Sequence, residues 1–159
     1  MKTLIVYYSR TGTTKRVAEA IAEKLGADLE EIVDKKDRKG AMGYLTAGRD
    51  ATLRRLTEIE PLKKRAEDYD LVIIGTPIWS WNMSVAVRAY LSLNKEALKR
   101  TAFFSTMSGS GHERAFREMA DIVIGAPVAT LGLLTKEVVG DNYAAKLEGF
   151  INEINKVIR

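Results

Sequence analysis

The chain of 159 residues has no cysteine and a single histidine, His112. The absence of cysteine excludes disulfides, thiolate catalysis, iron–sulfur ligation and cysteine-based zinc sites. One histidine leaves little for a metal cluster, so we expect no metal site. Residues Met1–Leu4 lead straight into an apolar segment without a signal-peptide cleavage pattern, which predicts a cytoplasmic protein.

Long apolar runs are also missing. The longest, Ile122–Leu134, is too short to span a bilayer and contains Pro127, so we expect no membrane insertion. Hydrophobic residues make up 46% of the chain and charged residues 29%. These values are typical of a globular protein, and the length predicts one domain over residues 1–159.

The positive charge is concentrated in one segment. The net charge is +4, yet residues 34–65 alone carry ten lysines and arginines against five aspartates and glutamates. This segment lacks the regular aromatic residues of a base-stacking surface. We therefore expect no nucleic-acid partner, and the simplest interpretation of the segment is a solvated helical face.

Apolar and β-branched segments alternate with helical patterns along the chain. Strands are predicted at Thr3–Tyr8, Leu71–Gly75, Ala102–Thr106 and Val128–Leu134, with a more polar edge strand at Ala27–Val33. This alternation predicts a three-layer α/β/α fold around a five-stranded parallel sheet. Residues 34–61 are too long for an ordinary connection and are interpreted as an insertion after the second strand, with a helix over Met42–Leu56.

Ligands of open α/β sheets bind beyond the carboxyl ends of the strands, which directs attention to three loops. The first loop reads S-R-T-G-T-T and immediately precedes a predicted helix; it comprises Ser9, Arg10, Thr11, Gly12, Thr13 and Thr14. Four hydroxyls, a glycine and a helix N-terminus are suited to binding a phosphate, and they exceed what a helix cap needs. Neither the dinucleotide-binding G-x-G-x-x-G nor a P-loop lysine is present.

The second and third loops are suited to a flat aromatic ligand. The second contains two tryptophans without a charge between them, and we expect one of them to pack beneath the following helix. The third is rich in glycine and hydroxyl groups that can reach the polar edge of the same ring. The candidate residues are Thr76, Pro77, Ile78, Trp79, Ser80 and Trp81 in the second loop and Thr106, Met107, Ser108, Gly109 and Gly111 in the third.

Together these loops resemble the flavodoxin family over essentially the whole chain. The first loop is similar to the family's T-x-T-G-x-T, with Ser9 in place of the first threonine, and G-T-P-I-W follows the third strand. The resemblance implies a strand order of 2-1-3-4-5 and tightly bound, non-covalent FMN. It implies that Ser9–Thr14 hold the 5′-phosphate, with Pro77–Trp81 and Thr106–Gly111 on either side of the isoalloxazine and Trp79 the nearer tryptophan.

The chain also departs from the family's pattern. The third loop has no tyrosine or tryptophan, so Met107 or a partner is expected to cover the outer ring face. The second loop has no glycine where flavodoxins meet the flavin N5–H, a role left to Ser80 or Asn82. Electron-shuttle flavodoxins are strongly acidic, whereas none of the three loops here contains Asp or Glu. A less negative flavin potential is therefore expected.

Two functions follow from the resemblance. The first is an FMN-binding electron-transfer protein, a small redox shuttle without catalytic residues of its own, that meets acidic partner proteins. The alternative is an NAD(P)H-dependent, FMN-containing quinone reductase, in which His112 stabilises a reduced quinone oxygen. A hydrolase using Ser108 or Ser110 with His112 is disfavoured, because no G-x-S-x-G elbow exists.

The insertion is expected to extend one wall of the site and to steer an acidic protein or an anionic nicotinamide cofactor. Its basic residues are Lys35, Lys36, Arg38, Lys39, Arg49, Arg54 and Arg55. The sequence leaves the oligomeric state open.

Overall fold

A single sheet organises the chain, whose computed structural model describes residues 1–36, 40–52 and 57–158. In chain order the strands are β1 (Thr3–Tyr7), β2 (Asp28–Glu31), β3 (Leu71–Trp79), β4 (Asn82–Met83), β5 (Thr101–Met107) and β6 (Thr130–Leu134). Five are parallel and lie in the order β2-β1-β3-β5-β6, while β4 pairs antiparallel with the end of β3. Apart from this short extra strand, the predicted fold class and strand order are confirmed.

Helices cover both faces of the sheet. They are α1 (Thr13–Leu25), α2 (Gly40–Thr52), α3 (Val85–Asn94), α4 (His112–Val123), α5 (Thr135–Val139) and α6 (Ala144–Ile158). Alternate residues of β1 enter opposite cores, because successive strand side chains point to opposite faces. Leu4 and Val6 pack with α2, α3 and α4, whereas Ile5 and Tyr7 pack with α1, α5 and α6. None of the helices in the described part of the chain has both the length and the apolarity needed to cross a bilayer.

The second loop differs from its prediction. The sequence places a loop from Thr76 onward, but β3 continues to Trp79 and returns through β4 as a hairpin. Ser80 and Trp81 form the tip, with φ angles of 50° and 60°, the left-handed conformation that two-residue hairpin turns require. The Asn82 side-chain amide donates to the Ser80 carbonyl at 2.7 Å and stabilises the tip.

Three smaller differences concern the edge strand and the C-terminal region. Strand β2 covers Asp28–Glu31 and is shorter than the predicted Ala27–Val33. Helix α5 is absent from the sequence prediction. The sequence also suggests Asp141, a favoured capping residue, as the cap of the closing helix. Asp141 is not that cap, because it adopts a φ of 57° in the turn before α6 and its amide donates to the Val138 carbonyl. Aspartate tolerates this left-handed conformation, which the α5–α6 connection needs.

The segment interpreted from the sequence as an insertion connects β2 to β3, and its two ends pair with each other. Asp34 bridges Ile59, and the Lys35 amide donates to the Glu58 carbonyl at 3.0 Å. The helix predicted there is observed as α2, with Ala47 fully buried against the sheet. The predicted helix end at residues 53–56, with Arg54 and Arg55, lies outside the described residues, as do Arg38 and Lys39.

Candidate functional site

A cavity with two lobes opens at the carboxyl ends of β1, β3 and β5, where the strand order predicts a ligand site. The smaller lobe has a volume of about 240 Å³ and the larger about 520 Å³. Five residues line both lobes, so the lobes lie side by side: Tyr44, Ile78, Trp79, Met107 and Ser108.

The smaller lobe is polar and is built on the first loop. It is lined by Ser9, Arg10, Thr11, Thr13 and Thr14, and further by Pro77, Thr106 and Thr135. Its base is tied together: the Thr14 and Thr106 hydroxyls are hydrogen-bonded at 2.8 Å, and both residues are buried. A cluster of hydroxyls with an arginine at a helix N-terminus has the chemistry of an anion site.

The local backbone presents the start of α1 to this lobe. Gly12 precedes the helix with a φ of 98° and has no side chain to cap it. The Ser9 hydroxyl accepts hydrogen bonds from the Gly12 amide at 3.0 Å and the Lys15 amide at 3.2 Å. Ser9 therefore shapes the loop and caps the Lys15 amide in the first turn of α1, which lies beside the lobe.

The larger lobe is aromatic, and its two tryptophans differ in environment. Trp79 is only 7% exposed and packs edge-on against Tyr8, with ring centroids 5.6 Å apart. Trp81 is 59% exposed, and its indole N–H donates to the Ser110 hydroxyl at 3.2 Å. Trp79 thus forms the floor of the lobe and Trp81 one side of its mouth. Trp79 belongs to the buried cluster that also contains Ala86 and Val87 of α3, the helix beneath which one tryptophan was expected to pack.

Helix α2 supplies a further wall of the larger lobe. Tyr44, Leu45, Gly48 and Arg49 line it, at the spacing of a single helix face. The approach is close, since a β-carbon at Gly48 would lie 3.4 Å from the Ser80 hydroxyl oxygen. The sequence predicts that the basic segment extends one wall of the site. It does not indicate Tyr44, Leu45 and Gly48 as residues of that wall. Their i, i+1, i+4 spacing on a predicted helix was the available signal.

Most of the predicted site residues line the cavity, including Ser80, Trp81 and Gly109 in the larger lobe. Gly12, Thr76 and Gly111 do not. The Thr76 hydroxyl accepts from the Ser84 amide at 3.0 Å and supports the start of α3. Gly111 packs against Trp81, since a β-carbon there would lie 2.7 Å from the Trp81 Cα. The sequence interpretation did not select Ser110 or Thr135, which also line the cavity.

His112 points away from this cavity. Its ring packs edge-on against Phe116 and lies so close to Gly132 that a β-carbon there would meet the imidazole at 2.7 Å. Its Nδ1 is buried without a hydrogen-bond partner among the described residues. The structure therefore gives His112 a packing role beside β6.

Two arginines, Arg10 and Arg49, line the cavity. Among the described residues, no aspartate or glutamate lines it. Next to Thr135, Glu137 accepts from the Leu134 amide at 2.8 Å and from Lys146 at 2.6 Å. Lys146, with the Leu134 amide, holds the pKa of Glu137 below its ordinary value. Within the described ranges, no group of three or more metal-ligating side chains occurs.

The strand order and the cavity at its switch point define a flavodoxin-like α/β protein. The sequence agrees with this class. The family model described as flavodoxin matches residues 2–149, and the chain belongs to the flavodoxin family.

Solved structures give the same result. The chain is similar to a flavoprotein from Lactobacillus acidophilus, solved in complex with FMN, at 28% identity and a TM-score of 0.69, covering 87% of this chain and 97% of that one. A flavoprotein from Bacteroides eggerthii matches at 24% identity and a TM-score of 0.69, covering 87% and 94%. An NADH:FMN oxidoreductase matches at 14% identity and a TM-score of 0.60, covering 98% and 88%. The last two likenesses show the fold alone.

Proposed function

We propose that the chain is an FMN-binding electron-transfer protein of flavodoxin type, a small redox shuttle. The observation that carries this proposal is the pair of adjoining lobes, polar at the first loop and aromatic at Trp79 and Trp81. FMN has a phosphate at one end and a flat ring at the other, which matches the polar and aromatic lobes. FMN as the cofactor is supported by the flavodoxin family and by the FMN complex of the Lactobacillus relative.

The donor set of the cavity fits FMN. Residues of the first loop, with the N-terminus of α1, would hold the phosphate, and Ile78, Trp79 and Met107 would contact the ring. When bound, FMN supplies the capacity to accept and release one or two electrons. Trp79 and Tyr8 form a buried floor that excludes water from that side of the cavity.

The charges at the cavity favour a reduced, anionic cofactor. Arg10 and Arg49 line it, and none of the lining residues in the described part of the chain is acidic. Negative charge on a reduced ring is destabilised by nearby carboxylates and stabilised by cations. We therefore expect a less negative potential than in an acidic shuttle, and redox partners with acidic surfaces. A cytoplasmic location stays a prediction from the sequence.

One observation favours a second function, an NAD(P)H-dependent quinone reductase. Helix α2 lines the larger lobe and places Arg49 there, which suits a small anionic reactant. His112 does not support this alternative, because its ring packs against Phe116 and Gly132.

The first experiment compares FMN with riboflavin. The protein should purify yellow or bind added FMN, and riboflavin should bind about 100-fold more weakly, because charge-assisted hydrogen bonds to the phosphate are lost. A preparation that takes up neither flavin would contradict the proposal. Equal affinities would show that the smaller lobe does not bind the phosphate.

The second experiment separates shuttle from reductase. The FMN-loaded protein is mixed anaerobically with NADH or NADPH while the flavin absorbance is recorded. A shuttle should be reduced slowly unless a reductase or a ferredoxin-like donor is added. Rapid bleaching by the nicotinamide alone, followed by turnover with a quinone, would favour the reductase.

A further inference from the structure

Arg10 and Tyr44 connect the two parts of the cavity. Arg10 belongs to the first loop and lines the smaller lobe, whereas Tyr44 belongs to α2 and lines both lobes. The Arg10 guanidinium lies over the Tyr44 ring, 5.2 Å from its centroid, in a cation–π contact. Among the described residues, no carboxylate lies within ion-pair distance of Arg10.

This contact holds the arginine without consuming its hydrogen-bonding groups. An aromatic ring covers the face of a guanidinium, whose N–H donors lie along its edge and stay available to a phosphate. An arginine without such a contact has a flexible side chain that must be ordered when an anion binds. The Tyr44 ring therefore preorganises Arg10 at the phosphate lobe.

We propose that Tyr44 is a positioning residue that makes the site selective for the phosphorylated flavin. The inference rests on the proposed FMN function. Tyr44 acts through Arg10, so its ring strengthens FMN binding but contributes to riboflavin binding only as an apolar wall. The coupling is reciprocal, since a phosphate that holds Arg10 also holds α2 against the larger lobe.

The test measures FMN and riboflavin dissociation constants by flavin fluorescence for the wild type, Tyr44→Leu, Tyr44→Phe, Arg10→Gln and the double variant Arg10→Gln/Tyr44→Leu. Tyr44→Leu should lower the FMN-to-riboflavin preference about threefold to tenfold, the effect of one cation–π contact. Tyr44→Phe is the matched control, because it keeps the ring and should keep the preference. In the Arg10→Gln background, Tyr44→Leu should have no further effect on that preference.

A second readout needs no flavin. Backbone amide exchange over residues 40–52 of the apo protein should be faster in Arg10→Gln and Tyr44→Leu than in the wild type or Tyr44→Phe. Tyr44 is 54% exposed, so these variants should fold, which circular dichroism verifies.

Three results would overturn the inference while leaving the proposed function in place. Tyr44→Leu could weaken FMN and riboflavin equally, which would make Tyr44 only an apolar wall. It could strengthen FMN binding, which would mean that the ring competes with the phosphate for Arg10. Tyr44→Phe could lose the preference too, which would assign the effect to the hydroxyl. A wild type that binds no FMN would refute the proposed function, and this inference with it.

Discussion

The cavity has two walls of different construction. The wall on the sheet side consists of strand ends and their loops, tied to the core by the edge-on packing of Trp79 on Tyr8 and by the hydrogen bond between Thr14 and Thr106. The wall on the α2 side is formed by a helix in the connection between β2 and β3. Its residues Tyr44 and Leu45 are 54% and 64% exposed.

This difference assigns different tasks to the two walls. Buried and mutually bonded side chains keep one geometry, which suits the binding of a cofactor. Exposed apolar side chains beside a cavity are typical of surfaces that meet other molecules. The sheet-side wall is therefore expected to supply most of the flavin affinity. The α2 wall is expected to add selectivity through Tyr44 and to govern what reaches the flavin.

The largest effect is expected when the sheet-side wall loses its floor. Trp79→Ala should lower the free energy of unfolding by about 3 kcal/mol, because a buried aromatic is removed, and it should weaken flavin binding. Trp81→Ala, at an exposed position, should change the free energy of unfolding by less than about 1 kcal/mol. It should also weaken flavin binding less than Trp79→Ala does. Urea unfolding of the apo protein and FMN titration measure both. Release of the flavin by Trp81→Ala but not by Trp79→Ala would reverse the assignment of the floor.

An intermediate effect is expected where the third loop supports the mouth of the cavity. Gly111 has a φ of 112°, and a β-carbon there would lie 2.7 Å from the Trp81 Cα. Gly111→Ala should lower the free energy of unfolding by about 1–3 kcal/mol and shift the Trp81 fluorescence. Gly109→Ala is the control, because no heavy atom lies within 4 Å of a β-carbon there and its φ is ordinary. Equal effects of the two variants would contradict the packing of Trp81 on Gly111.

The smallest effect is expected on the α2 wall, where a substitution should change the rate of flavin reduction. Arg49→Glu should slow reduction by NADPH or an acidic electron donor about threefold to tenfold at low salt, with the flavin content unchanged. The effect should vanish at 1 M salt, where the Debye length is about 3 Å. Arg65→Glu is the control in the same basic segment, because Arg65 pairs with Glu67 and lines a separate surface cavity. Stopped-flow absorbance measures the rates; equal slowing by both variants would assign the effect to net charge alone.

Much of the fold could be predicted because the parallel strands are nearly continuous apolar runs. Thr3–Tyr7 and Leu71–Ile74 are such runs, and only a sheet covered on both faces buries them. The positions of the loops that line the cavity follow from the same strand assignment, because the carboxyl ends of parallel strands lie at the same edge of the sheet. Here the local sequence and the global fold agree.

The remaining features depend on contacts between distant residues. Trp79 and Trp81 are two positions apart and would share a face in a continuous strand, but the turn at Ser80 and Trp81 separates them into floor and mouth. The role of Gly111 depends on Trp81, which comes from another loop. Tyr44 could be placed on a helix from its sequence, but not opposite Arg10, because the orientation of the insertion is set by tertiary packing.

The hydrogen bond between Thr14 and Thr106 joins positions 92 residues apart in the chain. The smaller lobe also includes Thr135, so it exists only after β1, β3 and β5 have paired and β6 has brought α5 alongside. Such non-local pairings form late and slowly when a chain folds. A flavin that binds here recognises the completed sheet and not the unfolded chain, and at 100 times its dissociation constant it adds about 2.7 kcal/mol to the stability of the native state. The colour of the bound cofactor would then report on each molecule that has finished folding.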